Sequence, residues 1–136
     1  MRMGSYMKKM IVLVSVENVS AAEKVIKKAK AQLGLDKGRR VLKKDNTRIL
    51  FSSGIIQKSF ENVEKLAKFK DYDMIIIPVY GENVKAYPKI HDIKIYVNNQ
   101  LGFSVFICAV RPNPADKDVD DAVENIFDIV TANIGL

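Results

Sequence analysis

The sequence predicts an α/β domain of three layers, an open parallel sheet of about four strands with helices on both faces. Three observations carry this expectation. Short apolar runs rich in β-branched residues recur along the chain, as "KKMIVLVSV", "TRILFSS", "DMIIIPVY" and "FSVFICAV". They are continuously hydrophobic rather than alternating, the pattern of strands covered on both faces. Amphipathic stretches lie between them, and strands that alternate with helices pair in parallel through right-handed crossovers.

Residues 1–8 read as a ragged leader to the first strand. The apolar run that follows them is about eight residues long, too short for a secretory signal and far short of a membrane span. In "SAAEKVIKKAKAQLG", Ser20 and Glu23 have the spacing of a capping box. Ala22, Val25, Ile26, Ala29 and Leu33 form one helical face there, and Gly34 supplies the stop. "GLDKGRRVLKKDNT", residues 34–47, reads as a long flexible connection to the second strand, "TRILFSS". "SFENVEKLAKFK" reads as a second helix with Phe60, Val63, Leu66 and Ala67 inward, leading to the third strand, "DMIIIPVY".

"YPKIHDIKIYVNNQLG" supports two readings. It is a helix with Ile90, Ile93, Val97 and Leu101 on one side, or a strand in which Ile93, Ile95 and Val97 alternate with Lys94 and Tyr96. The helix is preferred because it completes the alternation. "FSVFICAV" is a fourth buried strand, and the last helix runs through "NPADKDVDDAVENIFDIVTANIG". There Asn113 is the expected cap, Pro114 the first helical residue, and Gly135 the closing one. The expected strand order is 2-1-3-4.

At 136 residues and 48% hydrophobic, the chain is expected to form one domain over 1–136 with an ordinary core. Cys108 is the only cysteine and sits inside an apolar run, so it is expected to be buried and free, which fits a cytoplasmic protein. One histidine and one cysteine make no recognisable zinc set. His91 and Asp92 are adjacent, and neighbouring helical residues diverge, so they do not form a catalytic pair. No catalytic set is therefore read.

The charge is polarised. Residues 1–70 hold 17 Lys or Arg against 6 Asp or Glu, and residues 71–136 hold 5 against 10. The basic residues concentrate between Lys24 and Arg48, and the acids between Asp116 and Asp128. A nucleic-acid partner would contact Lys24, Lys27, Lys28, Arg39, Arg40, Lys43 and Lys44 through its phosphates. A homo-oligomer would form if the acidic side of the last helix met this basic region on another copy. No membrane partner is expected.

In open α/β sheets ligands gather beyond the carboxyl ends of the strands at a switch point. Here that is where "SVENVS" and "PVYGEN" would meet. "PVYGEN" offers Tyr80, Gly81 and Asn83, and "SSG" offers Ser52 and Ser53, to an anionic or nucleotide-like ligand.

"YDMIIIPVYGENV" and "SVENVSAAEKV" together resemble the flavodoxin-like proteins. In that family a buried third strand ends in a Pro-x-Tyr-Gly-type loop against the flavin ring, and the loop after the first strand carries a Ser-x-Thr-Gly-x-Thr phosphate motif. The resemblance covers the first three strands and their loops. It implies a flavodoxin-like fold and makes flavin mononucleotide (FMN) a candidate cofactor. Ser15 and Ser20 then match the hydroxyl ends of the phosphate loop, Asn18 replaces its glycine, and Tyr80 and Gly81 match the ring-side loop. Glu17 stands where that family has a phosphate-binding hydroxyl. Glu17 is also similar in position to the carboxylate after the first strand of Toprim domains, but their third strand ends in Asp-x-Asp where this chain has "PVY". The alternative to a ligand-binding domain is a degenerate version of the same fold that contacts protein or nucleic acid through residues 24–48.

Overall fold

The computed structural model describes residues 9–35, 38–44, 46–59 and 61–134. Its centre is a parallel pair, β1 (Met10–Val16) and β4 (Met74–Tyr80), aligned from Met10 opposite Met74 to Val16 opposite Tyr80. Both are buried along nearly their whole length. β3 (Thr47–Phe51) flanks β4 in parallel, and β5 (Ser104–Ala109) flanks β1 in parallel. A fifth strand, β2 (Val41–Lys44), runs antiparallel on the outer side of β3, which makes the order β2-β3-β4-β1-β5.

Two expectations are corrected by this sheet. The order 2-1-3-4 put the first strand beside the second, whereas β4 lies between them. β3 is short and its Arg48 is half-buried, which suits an outer place, while the uninterrupted aliphatic interior of β4 suits an inner one. The connection 34–47 holds β2, whose hairpin pairs Lys44 with Thr47 and Val41 with Leu50.

Helices cover both faces. α1 (Val19–Gln32) and α4 (Asp116–Asn133) share one cluster with Val12, Val14, Ile49, Phe51 and Ile76. A 3-10 helix (Val63–Phe69) and α3 (Ile90–Asn99) share the other with Ile11, Leu13, Leu50, Ile75 and Ile77. Adjacent residues of each strand thus enter opposite cores. α3 settles the ambiguous segment in favour of a helix over residues 90–99, with Ile90, Ile93 and Val97 buried.

The expected second helix is divided. α2 (Ile56–Ser59) is one turn, and Asn62 is extended (φ −149°, ψ 164°) before the 3-10 helix. Asparagine competes poorly for helical interior positions. Val63, Leu66 and Phe69 then recur every third residue, the period of a 3-10 helix, so one row of side chains faces the core. Phe60, Gly135 and the leader 1–8 lie outside the described residues.

Capping also differs from expectation. The cap of α1 is Asn18, whose Oδ1 accepts from the Ala21 N–H at 2.8 Å. Ser20 is therefore a helical residue of the first turn, with its hydroxyl released from capping. At the other end, Gly34 adopts φ +78°. The Gly34 N–H donates to Ala31 O and the Leu35 N–H to Lys30 O, the paired bonds of a Schellman turn, which fold Leu35 back as a buried residue. α4 begins at Asp116, after a left-handed Asn113 (φ 50°), and Asp118 Oδ2 accepts from the Ala115 N–H at 3.0 Å. Asn113 and Pro114 thus form the approach to the helix and not its cap.

No helix among the described residues is long and apolar enough to cross a membrane. Cys108 is buried and free, and burial pushes its thiol pKa up.

Candidate functional site

The helical connections leave β1 and β5 toward the α1/α4 face, and β3 and β4 toward the other. The switch point lies between the carboxyl ends of β1 and β4, where the sequence places it. Its two loops are in direct contact. The Gly81 N–H donates to Val16 O at 3.0 Å, and the Val84 N–H donates to Gly81 O at 3.2 Å, closing a turn over residues 81–84. A Cβ on Gly81 would stand 2.7 Å from Ser15 Oγ, so the missing side chain accommodates Ser15. Gly81→Ala is expected to force Ser15 off its rotamer at a cost of about 1 kcal/mol. Chemical denaturation should show that cost vanish in the Ser15→Ala background.

Tyr80 is half-buried against the α1/α4 core. Its backbone is held by a residue that motif reading missed. Gln57 Oε1 accepts from the Tyr80 N–H at 3.0 Å, and Gln57 Nε2 donates to Tyr80 O at 3.2 Å. This side-chain amide replaces a strand neighbour beyond the end of β3, because Ser52 N–H to Ile76 O is the last backbone link there. Gln57→Ala should cost about 1–3 kcal/mol by leaving part-buried groups unpaired, readable as a lower urea midpoint.

Charges of both signs border this crevice, and Lys89 Nζ donates to Val84 O of its turn at 3.2 Å. The Val16–Tyr80 register puts Glu17 and Glu82 on the two loops that leave the paired strand ends. Asn18 is engaged in capping, and Asn83 is exposed. Ser15, Asn18, Tyr80, Gly81 and Asn83 are thus gathered, whereas Ser20, Ser52 and Ser53 belong to a second region, at the end of β3.

That region is concave on both sides. On the α1 face, a cleft of about 620 Å³ lies between α1 and the end of β3. Its apolar floor includes Ile26, Ala31 and Leu35, and its polar groups include Ser20, Ser53, Lys24, Lys27 and Lys30, with Glu23 as the opposing charge. The helical spacing of Ser20, Lys24, Lys27 and Lys30 places them along one side of α1. Lys28, one turn on from Lys24, does not line the cleft and is paired instead with Asp120 of α4 at 3.1 Å. On the opposite face, Ser52, Ser53, Gly54 and Ser59 line a cleft of about 470 Å³ together with Arg40 and Lys68. Ser53 borders both.

The ion pairs among the described residues are Lys28–Asp120, Arg111–Asp118 and Lys117–Asp121. Lys24, Lys27, Lys30, Arg39, Arg40, Lys43 and Lys44 therefore have no ion-pair partner among those residues. Sequence reading recognised these cations but could not join them to Ser20 and Ser53, since that depends on β3 folding beside α1. Comparison with protein-family models, with curated proteins and with solved structures finds no match to this chain.

Proposed function

We propose that the chain is a binding domain for a small phosphate-bearing, nucleotide-like ligand, held at the carboxyl end of the sheet in the cleft between α1 and β3. The carrying observation is a single cleft lined by three lysines without ion-pair partners among the described residues, by Ser20 and Ser53, and by the apolar Ile26, Ala31 and Leu35. A planar ring suits the floor, and a phosphate suits the lysines and hydroxyls. A volume near 620 Å³ is ample for a mononucleotide, FMN included. The resemblance to flavodoxin-like proteins supports the same end of the sheet. The reading places the ligand toward β3 and not in the β1/β4 crevice, because three lysines line the cleft whereas Glu17 and Glu82 lie on the crevice loops.

Calorimetric titration with FMN, ADP and pyrophosphate tests this reading. Saturable binding of at least one is expected, weakened by Ser20→Ala and Ser53→Ala and strengthened by Glu23→Gln. The absence of binding by all three at millimolar concentration would defeat it.

A second reading has its own observation. The cations continue past the cleft, with Arg39, Lys43 and Arg48 lining a further concavity of about 700 Å³ along the β2–β3 hairpin. A nucleic-acid backbone wrapping round this edge would contact Arg39 and Lys43 in the concavity, Arg40 in the cleft on the opposite face, and the exposed Lys44. Replacing those four by Gln should flatten the salt dependence of duplex binding by up to about four contacts, at roughly 0.9 per phosphate. An unchanged slope excludes this path.

A further inference from the structure

The two edges of the sheet differ in kind. The β2 edge is four residues long, ends in Lys43 and Lys44, and both lysines are exposed. Short, lysine-bearing edges resist pairing with another strand. The β5 edge is six residues long, "SVFICA", with neither a charge nor a proline. Phe106 is 39% exposed and Ile107 is 48% exposed, although the strand belongs to an otherwise double-covered sheet. No strand among the described residues pairs with its outer side.

The direction of the free backbone groups follows from the ladder. The Ser104 N–H donates to Lys9 O and the Val110 N–H to Ser15 O, each at 2.8 Å, so even-numbered residues bond toward β1. Strand alternation then points the N–H and C=O groups of Val105, Ile107 and Ala109 outward. We infer that this edge is a homodimer interface, in which β5 pairs antiparallel with β5 of a second copy about a twofold axis normal to the sheet. Such an interface is isologous and closes after one step. With Ile107 opposite its own copy, outward-bonding residues face one another, and Val105 faces Ala109 of the second copy. Phe106 and Ile107 leave water on opposite faces of the joined sheet.

Size and charge agree with this occupant. Six residues at about 3.3 Å each and three layers about 10 Å apart present roughly 20 by 30 Å, about 600 Å² per copy, at the lower end of a standard interface. α4 does not oppose the approach with unpaired acids. Asp120, Glu124 and Asp128 line its side toward α1 and Lys28, and the side away from α1 carries Asp118 and Asp121 beside Asn125 and the half-buried Ile129, with Asp118 3.9 Å from Arg111 and Asp121 3.0 Å from Lys117.

Sedimentation over a range of concentrations, in low and high salt, tests the interface. A monomer–dimer equilibrium is expected, held by apolar contact and backbone pairing and therefore little changed by salt. Phe106→Lys should raise the dimer dissociation constant at least about tenfold. Ile107→Pro should do the same, because it deletes a donor that points away from β1. Near-ultraviolet circular dichroism should show Phe106→Lys folded like the parent, so that its effect stands even where Ile107→Pro perturbs the strand. A parent that stays monomeric at its highest concentration, a dimer that dissolves as salt is raised, or a dimer that persists in Phe106→Lys would overturn the inference.

Discussion

Truncating either large aromatic residue of the two cores, by Phe51→Ala or Phe103→Ala, is expected to cost about 3–5 kcal/mol. Both side chains are wholly buried, Phe51 in the α1/α4 core and Phe103 in the α3 core. A loss of that size is a large share of the roughly 5–15 kcal/mol that holds a domain together. The sheet separates the two sites, so their costs should add. Additivity is best read from the milder pair Phe51→Leu and Phe103→Leu, each costing about 1 kcal/mol, because the double variant remains folded. Denaturation of both singles and the double should close the cycle within about 0.5 kcal/mol. A larger coupling would mean that the two layers do not pack independently. Phe51 also precedes Ser52 and Ser53, so its loss should loosen the end of β3 that carries the proposed site.

Reversing the three cleft lysines together, Lys24→Glu, Lys27→Glu and Lys30→Glu, should abolish binding of a phosphate-bearing ligand. Each carries its charge beside a hydroxyl-lined cleft, and reversal turns attraction into repulsion on the same surface. Stability should fall by only about 1–2 kcal/mol, since no ion pair among the described residues is broken and the cost is that of like charges beside Glu23 and of an acid in place of Lys30 in the last turn of α1. The control is Lys28→Glu, because the Lys28 cation is engaged by Asp120 at 3.1 Å and does not line the cleft, so the affinity should fall much less. Equal losses in both variants would reduce the effect to net charge.

β1 and β4 were legible because an unbroken β-branched run has one comfortable place, the middle of a doubly covered sheet. β5 reads the same in sequence, yet it is an edge. Composition reports that a run avoids water and does not report which neighbour covers it. β2 was missed because two of its four residues are lysines, although Val41 and Leu42 before the turn-prone Asp45-Asn46 pair were a usable hairpin signal. The cap of α1 was misplaced because Asn18 and Ser20 are both good caps, and starting at Asn18 lets Ala21 and Ala22 enter the core together.

The cleft was least legible. Ser20 and Ser53 are far apart in the chain and meet only because the crossover through α1 delivers β3 two places from β1, with β4 filling the gap. The Schellman turn that supplies Leu35 to the floor could be anticipated from Gly34, but not its place beside Ser53. At the switch point, the packing of Gly81 on Ser15 needed coordinates.

The central claim is that a phosphate-bearing ligand sits between α1 and β3 and not between β1 and β4. Titrating the isotopically labelled protein with ADP and following backbone amide shifts separates the two most directly. Saturable shifts are expected at Ser20, Lys24, Gly38 and Ser53, with Glu17, Gly81 and Asn83 little changed. Shifts centred on Glu17 and residues 81–83, or no saturable shift at any of these amides, would contradict it.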